Sequence, residues 1–126
     1  MDMSELRFDE SHTWVKDEGK EIVVGITAYA QDQLGDIVFV ELPEPGTTLQ
    51  AGETFGTVES VKAVEELVAP LGGTVEARNE AVLANPEELQ NDPYGEGWLV
   101  KISGSVDGAD LLDADAYTAV IEEESA

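Results

Sequence analysis

Most apolar residues in the chain fall in short runs broken by glycine, proline or acidic clusters, the punctuation of a β-rich protein. Residues 20–27 (KEIVVGIT) are dense in β-branched side chains and follow the turn signal Asp17-Glu18-Gly19, which predicts a strand. Thr27 then precedes AYAQDQL and Gly35 follows it, the cap and stop of a short helix. Residues 36–42 (DIVFVEL) predict a second strand, ended by Pro43-Glu44-Pro45-Gly46. Further strands are predicted over 53–60 and 64–69, on either side of Lys62. Two more run over 74–78, with Val75 and Ala77 on one face, and over 98–102, with Trp98, Val100 and Ile102 on one face. Asn85-Pro86-Glu87-Glu88 has the order of a helix start: an Asn cap, Pro in the first turn, Glu three residues on. From Leu111 to Glu123 the spacing becomes helical, with Leu112, Ala116, Ala119 and Val120 in register and Tyr117 and Ile121 beside them.

An internal echo organises these elements. Pro43-Glu44-Pro45-Gly46-Thr47 resembles Pro70-Leu71-Gly72-Gly73-Thr74; Pro43 and Pro70, Gly46 and Gly73, and Thr47 and Thr74 each stand 27 positions apart, as do Glu53 and Glu80. Two similar strand-turn-strand units would put Lys62 on the link between halves, where a hairpin projects from the sheet. No linker divides the chain, so a single domain over residues 1–126 is expected.

Composition narrows the function. The chain has 126 residues, 42% of them hydrophobic, enough for a core. It has no cysteine, which excludes disulfides, thiolate metal sites and Cys nucleophiles. No apolar run approaches a membrane span, and the start MDMSELRFDESHTW has neither a basic region nor an apolar core. A cytoplasmic protein is the expectation. The net charge of −22 argues against nucleic acid and anionic membrane as partners. Such charge repels itself in dilute buffer, whereas in molar salt the Debye length falls to about 3 Å. A halophilic source is therefore expected from the charge.

Against this acidic background a lysine stands out in Thr57-Val58-Glu59-Ser60-Val61-Lys62-Ala63-Val64-Glu65-Glu66. No Gly or Pro lies at 60–64, so a tight turn there must be built from Ser, Val, Lys and Ala. Three readings are open. Lys62 is a solvated surface residue; or a Schiff-base lysine, which needs a desolvated pocket and is disfavoured by Glu59, Glu65 and Glu66; or a modified lysine whose amide removes the charge and makes the side chain a tether. Nothing elsewhere supports independent catalysis. The one histidine, His12, has no metal-ligand partner or Ser/Asp arrangement at recognisable spacing and reads as a packed or surface residue beside Trp14. Gly72-Gly73 and Gly95-Glu96-Gly97 lack phosphate-loop spacing and read as turns. The acidic residues show no calcium loop.

Several blocks, in order, carry a resemblance: Gly25-Ile26-Thr27, Ala30-Gln31 and residues 34–43 (LGDIVFVELP); then Glu59-Ser60-Val61-Lys62-Ala63; then Gly73-Thr74-Val75, Asn79 and residues 91–98 (NDPYGEGW). From about Ser11 to Tyr117 the chain resembles the glycine cleavage H-protein family. The resemblance implies a mainly β fold: a small barrel-sandwich hybrid of the lipoyl/biotinyl type, with a lysine-bearing hairpin, short peripheral helices and a C-terminal helix. It implies a carrier rather than an enzyme, with lipoic acid in amide linkage on Lys62 and Glu59, Ser60, Val61 and Ala63 as the attachment motif. The implied partners are a glycine decarboxylase (P protein), an aminomethyltransferase (T protein), a dihydrolipoyl dehydrogenase (L protein) and a lipoate-attaching enzyme. The arm would accept an aminomethyl group, deliver it to a tetrahydrofolate-dependent enzyme and be reoxidised. In the family a Glu commonly lies between the His and Trp of the motif that reads Ser11-His12-Thr13-Trp14 here, and some members have His where this chain has Gln33. Glu66 matches an acidic position, so His12, Thr13, Gln33 and Glu66 are the residues expected about the arm's cleft. A biotin carrier would typically flank its lysine with methionines, and lipoyl domains of 2-oxoacid dehydrogenases usually have Asp before theirs; Val61 and Ala63 fit neither. An H-like protein that relays lipoate without carrying aminomethyl groups stays open at Thr13.

Overall fold

The computed structural model describes residues 6–9, 12–19, 21–104 and 111–125. Ser11 of the motif and Lys20 at the start of the first predicted strand lie outside the described residues. Two antiparallel sheets face each other. The larger runs β1 (Leu6–Phe8), β2 (Thr13–Asp17), β3 (Ile22–Ile26), β9 (Val100–Ser103), β8 (Gly73–Arg78) and β5 (Thr48–Leu49) in spatial order; the smaller runs β4 (Ile37–Glu41), β6 (Thr54–Ser60) and β7 (Val64–Val68). Four helices complete the fold: α1 (Ala28–Leu34), α2 (Glu80–Ala84), α3 (Glu87–Asn91) and α4 (Ala114–Ser125). This is the expected mainly β architecture with short helices and a C-terminal helix. No helix among the described residues is long and apolar enough to cross a membrane.

The apolar run Ile22-Val23-Val24-Gly25-Ile26 is continuous because β3 is covered on both faces. Ile22, Val24 and Ile26 point inward and join Val15, Val75, Val100 and Ile102 against Val40, Val58 and Leu67 of the smaller sheet. Each such side chain, once buried, contributes about 1.5–3 kcal/mol. Val23 points outward into a second cluster with Leu6, Phe8, Trp14 and Tyr117. α4 roofs it: Tyr117 stacks on Phe8 at 4.6 Å between ring centroids. Trp14 pairs with Gly25 and lays its indole across it; a Cβ at Gly25 would stand 2.6 Å from that ring, so only glycine leaves the room. The indole N–H donates to the Pro93 carbonyl at 2.8 Å.

Several expectations change on contact with this packing. Trp98 precedes β9 and packs with the outer cluster, while Val100 and Ile102 face the main core. A bulge in β8 sets Ala77 opposite Lys101 instead of on the row of Val75, which pairs with Ile102. Asn85 does not cap α3 with its side chain; Pro86 is the cap, and the Asn85 carbonyl accepts from Glu88 N–H. The separate helix α2, capped by the Asn79 side chain on Ala81 N–H, was not predicted. On α4 the packed side is Ala114, Tyr117 and Ile121, whereas Ala116 and Ala119 are exposed. The segments of the 27-residue echo meet: Gly46 N–H donates to Val75 O, and Val75 N–H to Thr47 O.

Candidate functional site

Lys62 sits at the tip of the β6–β7 hairpin, in a connection that lacks glycine. The primed two-residue turns usual for hairpins need positive φ at one or both central residues. Among the described non-glycine residues only His12 has positive φ, so Val61 and Lys62 turn the chain without it. Ser60 makes this possible. Its hydroxyl accepts from Lys62 N–H at 3.3 Å and Ala63 N–H at 3.1 Å, and its backbone N–H donates to Ala63 O at 2.8 Å. Val61 N–H donates to Asp36 O at 3.1 Å, which ties the tip to the junction after α1. Gln90 of α3 braces that junction by accepting from Ile37 N–H at 2.7 Å.

The Lys62 side chain is exposed, and among the described residues its ammonium has no ion pair or hydrogen bond. Its stem leans over the end of α1: a Cβ placed on Gly35 would lie 3.6 Å from Lys62 Cε. Thr27 caps α1 by accepting from Ala30 N–H, and Gly35 ends it at φ +79°, a value that suits glycine. Glu59, expected in the attachment motif, is exposed on the outer face of the hairpin; Val61 is 70% exposed and Ala63 borders a cavity.

That cavity, of about 300 Å³, opens between α1, β2 and β7. Ile26, Leu34 and Leu67 form its apolar wall, and it brings together all four residues expected about the arm: His12, Thr13, Gln33 and Glu66. Thr13 pairs with Ile26 and so points inward; it is 1% exposed, and its hydroxyl is the one buried side-chain polar atom among the described residues with no hydrogen-bond partner. A buried hydroxyl without a partner costs roughly 1–3 kcal/mol, and this one borders the cavity. His12 holds a left-handed backbone at φ +69°, and its Nδ1 lies 2.8 Å from the Tyr117 hydroxyl, which is also 2.7 Å from Thr27 Oγ1. The C-terminal helix thus braces the cavity rim through one tyrosine. Nearby, Tyr94 accepts from Ala28 N–H at 3.0 Å; burial pushes its phenol pKa up, against the opposing pull of that hydrogen bond.

Beyond its apolar residues, the lining holds two side chains that were not expected from the sequence, Tyr29, whose ring lies 5.0 Å from that of His12, and Glu65. Glu65 pairs with Val58, which is fully buried, so it shares the inner, cavity-facing side of β7 with Ala63 and Leu67. Glu66 pairs with Thr57 and starts from the outer face, though it too borders the cavity. Counting back in twos from apolar Leu67 would have found Glu65.

A family model described as "Glycine cleavage H-protein" matches residues 6–124. The chain is 58% identical over 119 residues to the glycine cleavage system H protein of Synechococcus sp. (strain CC9311), covering 93% of this chain and 92% of that one. It is 57% identical over 118 residues to the corresponding protein of Thermosynechococcus vestitus, covering 94% and 93%. The crystal structure of a glycine cleavage system H protein from Mycobacterium marinum superposes with a TM-score of 0.87 at 36% identity, over 94% of this chain and 98% of that one. These matches do not support the halophilic source suggested by the charge.

Proposed function

The chain belongs to the glycine cleavage H-protein family, whose members are non-catalytic carriers with a covalently attached lipoyl-lysine, and from that premise we propose that Lys62 bears the lipoyl group. The observation that carries the reading is the hairpin tip: an exposed lysine with no ion pair among the described residues, on a turn fixed by Ser60 and Asp36. An attaching enzyme needs that exposure, and acylation of a free ammonium breaks no structural contact. Glu59, Ser60, Val61 and Ala63 form the attachment motif, with Ser60 holding the turn.

Attached to Lys62, a lipoyl group would supply a reducible disulfide able to take up an aminomethyl group at a glycine decarboxylase (P protein), release it at a tetrahydrofolate-dependent aminomethyltransferase (T protein) and be reoxidised by a dihydrolipoyl dehydrogenase (L protein). The chain's residues fit that group. Lys62 anchors it beside the cavity, at high effective concentration for each partner. Ile26, Leu34 and Leu67 offer an apolar wall that excludes water. Thr13 Oγ1 offers a polar atom awaiting a partner, and Glu65 and Glu66 bring carboxylates that favour a cationic end. Gln33 and His12 complete the lining. The working reading is one domain over residues 1–126, acting in the cytoplasm with these three enzymes and a lipoate-attaching enzyme.

Intact mass and peptide mapping of protein from its native host test the assignment. A lipoyl group on Lys62 is expected; a biotinyl group or a bare lysine overturns it. Lys62→Arg should abolish glycine–bicarbonate exchange with the decarboxylase while leaving the melting temperature unchanged, and undiminished exchange would sink the carrier role of this residue.

A further inference from the structure

Four large apolar side chains are exposed among the described residues: Val38 (51%), Phe39 (52%), Val61 (70%) and Val64 (61%). All four surround the Lys62 hairpin. Val61 is at the tip and Val64 begins β7; Glu59 lies between Phe39 and Val64 in one cross-strand row. The cause is a β-bulge. Ile37 pairs with Ser60 and Phe39 with Glu59, so two steps on β4 answer one on β6. Regular alternation would bury one of Val38 and Phe39; the bulge turns both outward on an edge strand. Gln90 accepts from Ile37 N–H, and Val61 N–H donates to Asp36 O, so the bulge and the tip are held in one frame. A gathered apolar patch of this kind marks an interaction site. Its surround is acidic: Glu41, Thr57 and Glu66 form the next row on the same face, Glu59 stands within the patch, and Asp36 lies at its edge.

We propose that this patch is the docking surface of the enzyme that forms the amide at Lys62, a protein presenting an apolar depression ringed by Lys or Arg. The proposal rests on Lys62 as the attachment point. Reach selects this occupant. An unmodified lysine extends only the length of its four-carbon stem, so the attaching enzyme must bring its active site to the tip and meet Val61, Val64 and Phe39. Partners that meet the finished arm act at its far end. At the tip, neutral Nζ attacks the carbonyl carbon of a lipoyl group activated by that enzyme as an acyl–nucleotide anhydride. The C–N bond forms, the C–O bond to the nucleotide phosphate breaks, the phosphate keeps the electron pair, and the amine proton passes to a base of the enzyme. The acidic surround steers a basic partner and repels acidic ones.

The test uses the full chain without lipoate, a lipoate–protein ligase, lipoic acid and ATP, following mass gain at Lys62 against chain concentration. Phe39→Ser combined with Val64→Thr should raise KM at least tenfold with kcat within twofold. Reaction of Lys62 with a small acyl ester should stay at the parent rate, which shows that the hairpin is intact. The parent KM should rise with added KCl. An unchanged KM in the double variant overturns the proposal. So does normal lipoylation followed by loss of exchange with the decarboxylase, which would give the surface to that enzyme, or a concentration-dependent dimer that the variant abolishes, which would give it to a second copy. A parent chain that gains no lipoyl group at Lys62 removes the carrier assignment itself, an outcome distinct from these.

Discussion

The outer face of the larger sheet and the outer face of the smaller one both carry large apolar side chains, with opposite fates. On the larger sheet Leu6, Phe8, Trp14 and Val23 are buried, because Tyr117 and Ile121 of α4 and the Tyr94–Trp98 segment lie over them. On the smaller sheet Phe39 and Val64 stand in the open, with no element of the described chain across them. Charge follows the same division. Lys16 and Lys101 flank the covered face, and Lys101 sits 5.0 Å above the Trp98 ring, whereas Glu41, Glu59 and Glu66 share the open one. Exposure here reports where the chain supplies a cover, rather than where the sequence is apolar.

The sharpest way to break this comparison is truncation on each face. Trp14→Ala should destabilise the protein by about 3–5 kcal/mol, the usual cost of emptying a packed aromatic site. It also strands the Pro93 carbonyl that the indole satisfies. Phe39→Ser should stay within about 0.5 kcal/mol of the parent, as for surface positions generally. Urea unfolding measures both, and a cost for Phe39 comparable to that of Trp14 would make the open face part of the core. A smaller effect is expected at the hairpin. Ser60→Ala removes the acceptor for Lys62 and Ala63 N–H at a net cost of about 1 kcal/mol. Amide exchange at residues 61–63 should accelerate while the outer cluster keeps its protection; uniform acceleration would mean that the tip is not an independent unit.

The covered face was the harder one to read from sequence. Periodicity locates β3 and the helix between Thr27 and Gly35, because β-branched density, a capping hydroxyl and a stop glycine each act locally. It does not say what lies across a face. Trp98 alternates correctly with Val100 and Ile102, yet it packs in the outer cluster because the chain enters β9 only at Val100. The bulges at Val38 and in β8 shift register without a glycine or proline to announce them, and so the exposed pair Val38–Phe39 was hidden inside an apparently regular strand. At the site, the motif around Lys62 was legible and the cavity's cast nearly so. Glu65 was lost because two adjacent glutamates look alike in sequence, and only pairing with Val58 or Thr57 tells inner face from outer.

The smallest expected effect concerns the charge of the open face. Glu41 and Glu66 pair with the two sides of Thr57, so their strands lie two inter-strand spacings apart, roughly 10 Å. Two like charges at that distance in a water-like medium repel by about 0.4 kcal/mol. The chain's net charge of −22 adds to this repulsion. Glu66→Gln should therefore stabilise the protein by a few tenths of a kcal/mol in dilute buffer. In molar KCl the Debye length falls to about 3 Å and the gain should vanish, while the parent's own melting temperature rises as the whole-chain repulsion is screened. Thermal unfolding of both proteins across a KCl series measures the two effects together. A variant less stable than the parent at low salt would show that Glu66 has a favourable interaction, and a parent indifferent to KCl would show that the acidic surface is already relaxed by its geometry. Either result would separate the physics of the charge from any inference about the protein's source, which the charge alone does not carry.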